Sequence, residues 1–305
     1  MMVSNQGSIW GLLHWQSRFA GIFTGAGAAA ALLHTLGLTG LELPTVPLAV
    51  VGGAIGIFVS FRTNSAYDRW WEGRKLWGRL INTSRHWCTQ VVGYVGEGDG
   101  HDDLRKEAAE RMVRRHIHYV HVLRILLRKQ SLKHDEELRL HLSAEERERL
   151  VGESNATHAL LHDQMMDLRA LHRAGAITDF QQSDMDESLR HLLDIQGGCE
   201  RIKGTPFPRG YGFIAERLIL AYSILFPFSI VADTGWLCVP LNLLVCLAFI
   251  LISEAGRVLE DPFSMFWNGL PLSALSRKIE VNLRQRLGDD DLPPMLVPDR
   301  NGILM

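Results

Sequence analysis

The sequence predicts an all-α integral membrane protein on three observations. Four long runs carry no Asp, Glu, Lys or Arg; the charged segments repeat at helical spacing, with no alternating β pattern; and Lys and Arg gather on alternate sides of the runs. The totals hide this organisation. The chain has 305 residues, with 32 Lys+Arg against 34 Asp+Glu and 47% hydrophobic residues. Its mean hydropathy of +0.02 is that of an ordinary water-soluble protein. A net charge of -2 offers no long-range field to gather nucleic acid, so no nucleic-acid partner is expected. Cys88, Cys199, Cys238 and Cys246 form no CxxC pair and no zinc spacing. They read as small buried hydrophobes, and no metal or cofactor is expected.

Residues 1–61 hold an N-terminal segment and two spans. Phe19 to Leu41 is 23 residues without Asp, Glu, Lys or Arg, enough helix to cross a hydrocarbon core about 30 Å thick. Glu42 interrupts, and Leu43 to Phe61 is again free of charge for 19 residues. This second helix is expected to start near Pro47, since proline suits a first turn. Residues 62–213 form a cytoplasmic helical domain. There RKEAAERMVRRHIHYVHVLRILLRK places Met112, His116, Tyr119, Val120, Leu123 and Leu127 at helical spacing. SAEERERL, Ser143 to Leu150, is a capping box with Ser143 as N-cap. Further helices cover His158 to His172 and Thr178 to Gly197, the latter capped by Thr178 or Asp179.

Residues 214–253 hold the third and fourth spans, Leu218 to Ala232 and Thr234 to Ser253, parted by Asp233. The third run has only 15 residues, so its helix borrows Gly212 to Ala215 and snorkels Glu216 and Arg217. Residues 254–305 form a C-terminal helix and a proline-broken tail in which Asp289 to Asp291 read as a solvated acidic turn.

Orientation follows from the basic residues. Arg18 precedes the first span; Arg62, Arg69, Arg74 and Lys75 follow the second; Arg209 and Arg217 flank the third; Arg257 follows the fourth. The connections at Glu42 and Asp233 carry none. The positive-inside rule then places both termini and the long middle segment in the cytoplasm. Trp10, His14 and Arg18 precede a run too long for a signal-peptide core. The expected location is a multi-pass cell-membrane position, in a bacterial inner membrane.

Ala54 to Trp87 is the most informative stretch, because no proline or glycine lies between Gly56 and Gly73. A membrane helix here runs on into cytoplasmic helix. Gly53, Ile57, Phe61, Asn64 and Asp68 fall on one face at i, i+4, i+8, i+11 and i+15. That stripe passes from apolar to polar in the order a pore needs, an apolar constriction above a wetter vestibule. A helix interface with polar residues at its cytoplasmic end has the same pattern.

FRTNSAYDRWWEGRKLWGRL, containing Arg69, Trp70 and Trp71, resembles the signature of the bestrophin family. The resemblance extends to His14-Trp15-Gln16-Ser17, to Gly198-Cys199-Glu200-Arg201 with Pro206, and to Glu260-Asp261-Pro262-Phe263, and covers Trp10 to Arg284. It implies a homopentamer embedded in the lipid bilayer, each subunit giving its second span to a central pore for monovalent ions, with a helical cytoplasmic barrel. The family's three-residue neck falls on Gly53, Ile57 and Phe61. Gly53 departs from the usual bulky aliphatic and leaves a wider outer ring. The family's lower aperture falls nearest Ile177, with Phe180 as runner-up. Animal bestrophins carry an acidic calcium clasp after the Pro-Phe motif; here SMFWNGLPL follows, with no carboxylate between Asp261 and Glu280. Ca²⁺ requires several hard oxygen ligands, so gating through such a clasp is not expected.

Fivefold repetition of Glu42 and Asp68 would make two acidic rings, which leans toward cations, whereas animal and plant relatives are mostly anion channels. His158 and His162 are an i, i+4 pair beside Asp163 that could clip a transition metal, with a solvated helix face as the leading reading. His116 and His118 cannot share a face. No GxGxxG, P-loop, GxSxG or HExxH motif is present, so no catalytic residues and no enzyme are expected. The alternative to a channel is a membrane-anchored helical scaffold or regulatory protein without conduction.

Overall fold

The structure, a computed structural model, describes residues 1–2, 11, 14–95, 102–135, 137–138 and 142–305. Trp10, where the family resemblance begins, lies outside them. The described helices are α1 (Ser17–Thr35), α2 (Thr45–Gln90), α3 (Asp102–Leu127), α4 (Ala144–Gly152), α5 (Ala156–Arg173), α6 (Asp179–Gly204), α7 (Arg209–Thr234), α8 (Cys238–Leu259) and α9 (Leu272–Leu287). Among the described residues the β structure is one bridge, Met2 with Ile303. The chain divides into two units: Asn5–Trp70 with Pro206–Asp261, and Met1–Ser4 with Trp71–Thr205 and Pro262–Met305. α2 belongs to both.

In the first unit α1, α2, α7 and α8 alternate in direction. Thr45 Oγ1 donates to the Ser229 carbonyl at 2.8 Å, and Phe58 stacks on Tyr211, so α2 and α7 run antiparallel. Tyr222 of α7 meets Phe249 of α8 edge-on, closing a hairpin around Gly235, whose φ of +51 belongs to the left-handed half of backbone space. Phe23, Ile55, Val59, Ile219, Cys246 and Ile250 share the interior. Between apolar helices, association depends on close packing and small residues. At Gly256 a Cβ would lie 2.9 Å from Thr63 Oγ1 and 3.2 Å from Thr63 Cα, so glycine sets the approach of α8 to α2.

α1 ends at Thr35, short of the Leu41 limit of the uncharged run. Gly37 takes φ +82, its N–H returns to the His34 carbonyl and the Leu38 N–H to Leu33, a left-handed stop that apolar composition does not reveal. α2 starts at Thr45, with Pro47 inside its unbonded first turn. Pro227 lies within α7 and has no N–H for the Ser223 carbonyl. The buried Asn242 of α8 supplies it, donating to Ser223 O at 3.0 Å and to Phe23 O at 2.8 Å. Two stretches, Thr45–Val95 and Gly210–Leu259, are long and apolar enough to cross a membrane.

In the second unit α3 buries Met112, His116, Tyr119, Val120, Leu123 and Leu127, the face its periodicity predicts. Ser143 caps α4 in a capping box, and Thr178, rather than Asp179, caps α6 in another. Asp179 sits in the first turn, where an anion suits the helix dipole. The tail is ordered along α9: Arg277 donates to the Pro294 carbonyl at 3.1 Å, and Leu304 N–H to Met1 O at 2.9 Å. Asp289 is not a solvated turn residue, for it takes Arg284 Nε at 2.7 Å and Arg114 Nη2 at 3.0 Å.

Candidate pore face and the charges behind it

α2 has a packed face and an open one. Ile55, Val59, Arg62 and Ala66 are buried at steps of four, three and four residues. Gly53, Ile57, Phe61, Asn64 and Asp68 are all exposed, Ile57 at 62% and Phe61 at 68%. At about 100° per residue these five stay within one narrow stripe. Among the described residues no side chain covers the stripe, and it runs from apolar to polar toward Asp68. Just before α2 begins, Glu42 is already engaged, 3.0 Å from His34 Nδ1.

Behind the stripe lies a charge cluster that the sequence reading missed. Arg62 Nη1 donates to the Ser253 carbonyl at 3.1 Å and hydroxyl at 2.8 Å, and Nη2 to Glu260 at 2.5 Å. Arg69 Nε donates to the Glu260 carbonyl at 2.7 Å. The available signal was Arg62's register, three residues after Val59 on the buried period of α2.

The separate family motifs converge on one turn of α2, residues 72–76. A Cβ on Gly198 would lie 2.9 Å from Leu76 Cδ2, Arg201 pairs with Glu72, and Gly73 leaves room for Pro262 and Phe263. Pro262 and Phe263 are buried, Asp261 half-buried, Trp70 half-buried and Trp71 exposed. Trp77 and Trp87 are fully buried, as packing anchors. Cys199, also buried, has its thiol pushed up to about 12 by burial, and Cys88 to about 11. Neither is a thiolate at neutral pH.

Of the two aperture candidates, Ile177 is 4% exposed and Phe180 89%. Ile177 packs inside its own chain, and Phe180 is the one of the two that stands open at the surface. His158 and His162 are both exposed on α5, and among the described residues no group of three or more His, Cys, Asp or Glu is placed to hold a metal. His116 is fully buried against Ser84 Oγ at 2.8 Å, and burial lowers its pKa to about 3.

The second unit also buries an ionic web. His121 lies 3.1 Å from both Glu137 and Glu280. Arg277 reaches Glu137 at 2.6 Å and Glu280 at 3.2 Å, Arg284 reaches Glu280 at 3.6 Å, and Arg124 joins Glu137 to Asp135. Burial opposes the charge on Glu137, but the hydrogen bond from His121 and the charges of Arg124 and Arg277 bring its pKa down to about 2. Burial likewise disfavours a charged His121, and its two carboxylates reverse the sign, raising its pKa.

Residues 1–285 match the family described as "Bacterial/Fungal Bestrophin protein". The chain is 30% identical over 262 residues to the "Voltage-dependent anion channel-forming protein YneE" of Escherichia coli K12, covering 86% of this chain and 83% of that protein. It is 31% identical over 252 residues to the "Voltage-dependent anion channel-forming protein mll4386" of Mesorhizobium japonicum, covering 83% of this chain and 77% of that one. Among solved structures, a bacterial bestrophin homologue from Klebsiella pneumoniae superposes with a TM-score of 0.81 at 27% identity, over 89% of this chain and 98% of that one.

Proposed function

Because the chain belongs to the bacterial and fungal bestrophin family, we propose that it is a passive ion channel in which five copies set α2 around a common axis in the bilayer. The open stripe on α2 carries this reading. A face that the subunit leaves bare, apolar at Gly53, Ile57 and Phe61 and polar at Asn64 and Asp68, is what a ring of copies needs to enclose a neck and a vestibule. α1, α2, α7 and α8 supply four spans, and the basic residues flanking them put both termini in the cytoplasm. The pairing of Met1 with Leu304 supports a shared side.

Ile57 and Phe61 form two stacked apolar rings about 6 Å apart. Water is poorly hydrogen-bonded in so narrow a tube, so the closed state is a dry one. Phe180 lines the lower aperture. The permeant ions are monovalent. The curated relatives bear the name of anion channels, but in this chain the exposed charge on the stripe is Asp68, which favours cations. Calcium gating through an animal-type clasp has no carboxylates to support it between Asp261 and Glu280.

Purified protein in planar bilayers tests the reading. Wild type should give unitary currents from an assembly with the mass of five 34.3 kDa protomers, unaffected by micromolar Ca²⁺. Replacing Ile57 and Phe61 together with Ala should raise the open fraction without altering charge selectivity. Absence of current from the assembled protein would leave the membrane-anchored scaffold as the reading.

A further inference from the structure

We infer that Arg62 is a positioning residue for the pore, latching α2 to α8 behind Phe61; the inference rests on the reading of α2 as the pore helix. The two residues are consecutive, so their side chains leave the helix about 100° apart. Phe61 is 68% exposed and Arg62 5%. Whatever fixes the guanidinium therefore fixes the turn of backbone that presents the phenyl ring.

Three elements fix it. α8 supplies the Ser253 carbonyl and hydroxyl, and its C-cap residue, Glu260, supplies the carboxylate. α7 supplies a vacancy, since a Cβ on Gly212 would lie 2.9 Å from Nη2 and 3.3 Å from Cζ. At Gly210, two residues earlier, a Cβ would meet nothing within 4 Å. α2 itself adds a second tie, Arg69 Nε on the Glu260 carbonyl, about two turns further on. The guanidinium is not fully satisfied, for its Nε is buried without a partner. A buried ion pair contributes little net stability compared with an apolar replacement, and its best-attested use is to fix register. Here the register is that of α2 against α8, one residue from the narrowest ring.

Releasing the pair lets this turn of α2 relax and widens the Phe61 ring, which raises the open-to-closed ratio. The test uses the full-length protein in planar bilayers, with variants checked first for pentamer mass. Gly212→Ala leaves both charges in place and pushes the guanidinium off its site; Glu260→Gln keeps the shape and removes the charge. Both should raise the ratio about fivefold or more, the lower end of coupling between sites, with reversal potentials unchanged. Gly210→Ala should match wild type, and Arg62→Lys, which reaches Glu260 without the fork to Ser253, should fall between. A purely structural pair would lower the unfolding midpoint yet leave the ratio of assembled channels at the wild-type value, which would overturn the latch. A lowered ratio would overturn it too. Where Glu260→Gln does not assemble, Gly212→Ala decides. The Ile57→Ala, Phe61→Ala channel separates the two failures. If it behaves as wild type, the pore reading falls and the latch with it; if it changes while Gly212→Ala does not, the latch alone falls.

Discussion

Among the described residues of the unit of α1, α7, α8 and the first half of α2, one guanidinium is buried, and its polar partners are Ser253 and Glu260, the latter with 26% of its side chain exposed. In the unit that includes α3 and α9, burial falls on shared groups: Glu280, without exposed side-chain surface, lies within 4 Å of His121, Arg277 and Arg284 at once. The difference lies in what each arrangement leaves behind when broken. Glu260 can turn to water if Arg62 is lost, whereas three cationic groups around Glu280 cannot all do so. An isolated pair is therefore a replaceable device that sets geometry, and a web is a commitment of the whole core.

The largest expected effect follows from that contrast. Glu280→Gln should cost about 3 kcal/mol or more in urea unfolding free energy, because it removes the fully buried carboxylate that balances His121, Arg277 and Arg284 and leaves Glu137 and Asp289 to offset all three. Arg62→Met should cost about 1 kcal/mol, since its partner rehydrates. Equal losses would erase the distinction. Next, Asn242→Leu should cost about 2 kcal/mol, the penalty of leaving the Ser223 carbonyl unbonded beside Pro227; a cost below about 0.5 kcal/mol would mean that the carbonyl finds another donor.

The two buried histidines should then pull stability in opposite directions with pH. Burial opposes charge on His121 but Glu137 and Glu280 raise its pKa above the free value. Its contribution is full below about pH 6.5 and is lost as pH rises through the folded value. Burial lowers His116 to about 3, so its contribution is full above about pH 6.5 and is lost as pH falls toward 3. His121→Gln should flatten the alkaline side of the stability profile and His116→Gln the acid side. The smallest effect on stability belongs to Asp68→Asn, under about 0.5 kcal/mol for an exposed side chain. Its reversal potential in asymmetric NaCl should nevertheless shift away from the cation equilibrium value, and an unshifted potential would remove Asp68 from the permeation path.

The parts of the molecule legible in the sequence are those written in short range. Ser143 with Glu146 and Thr178 with Gln181 are capping boxes three residues wide, and the α2 stripe is a periodicity that exposure reproduces. Gly37 was equally visible, but an uncharged run carries no mark where its helix stops. What sequence could not show was pairing at a distance. Arg62 and Glu260 stand 198 positions apart, the role of Asn242 depends on a proline in another helix, and Ile177 and Phe180 differ in burial through packing that no local pattern encodes. In the sequence Arg62 is one of several charges that mark orientation, and its period on α2 sets it inside.

The continuity of α2 sets how this protein can evolve. Substitutions along the helix change one side chain, but a change of length changes phase. One residue inserted between Val59 and Asn64 turns Asn64 and Asp68 by about 100° relative to Ile57, which carries them off the stripe while Ala66 leaves the core. With no loop from Thr45 to Gln90 to absorb the error, insertions and deletions there should be nearly absent from functional descendants, even where individual side chains drift freely.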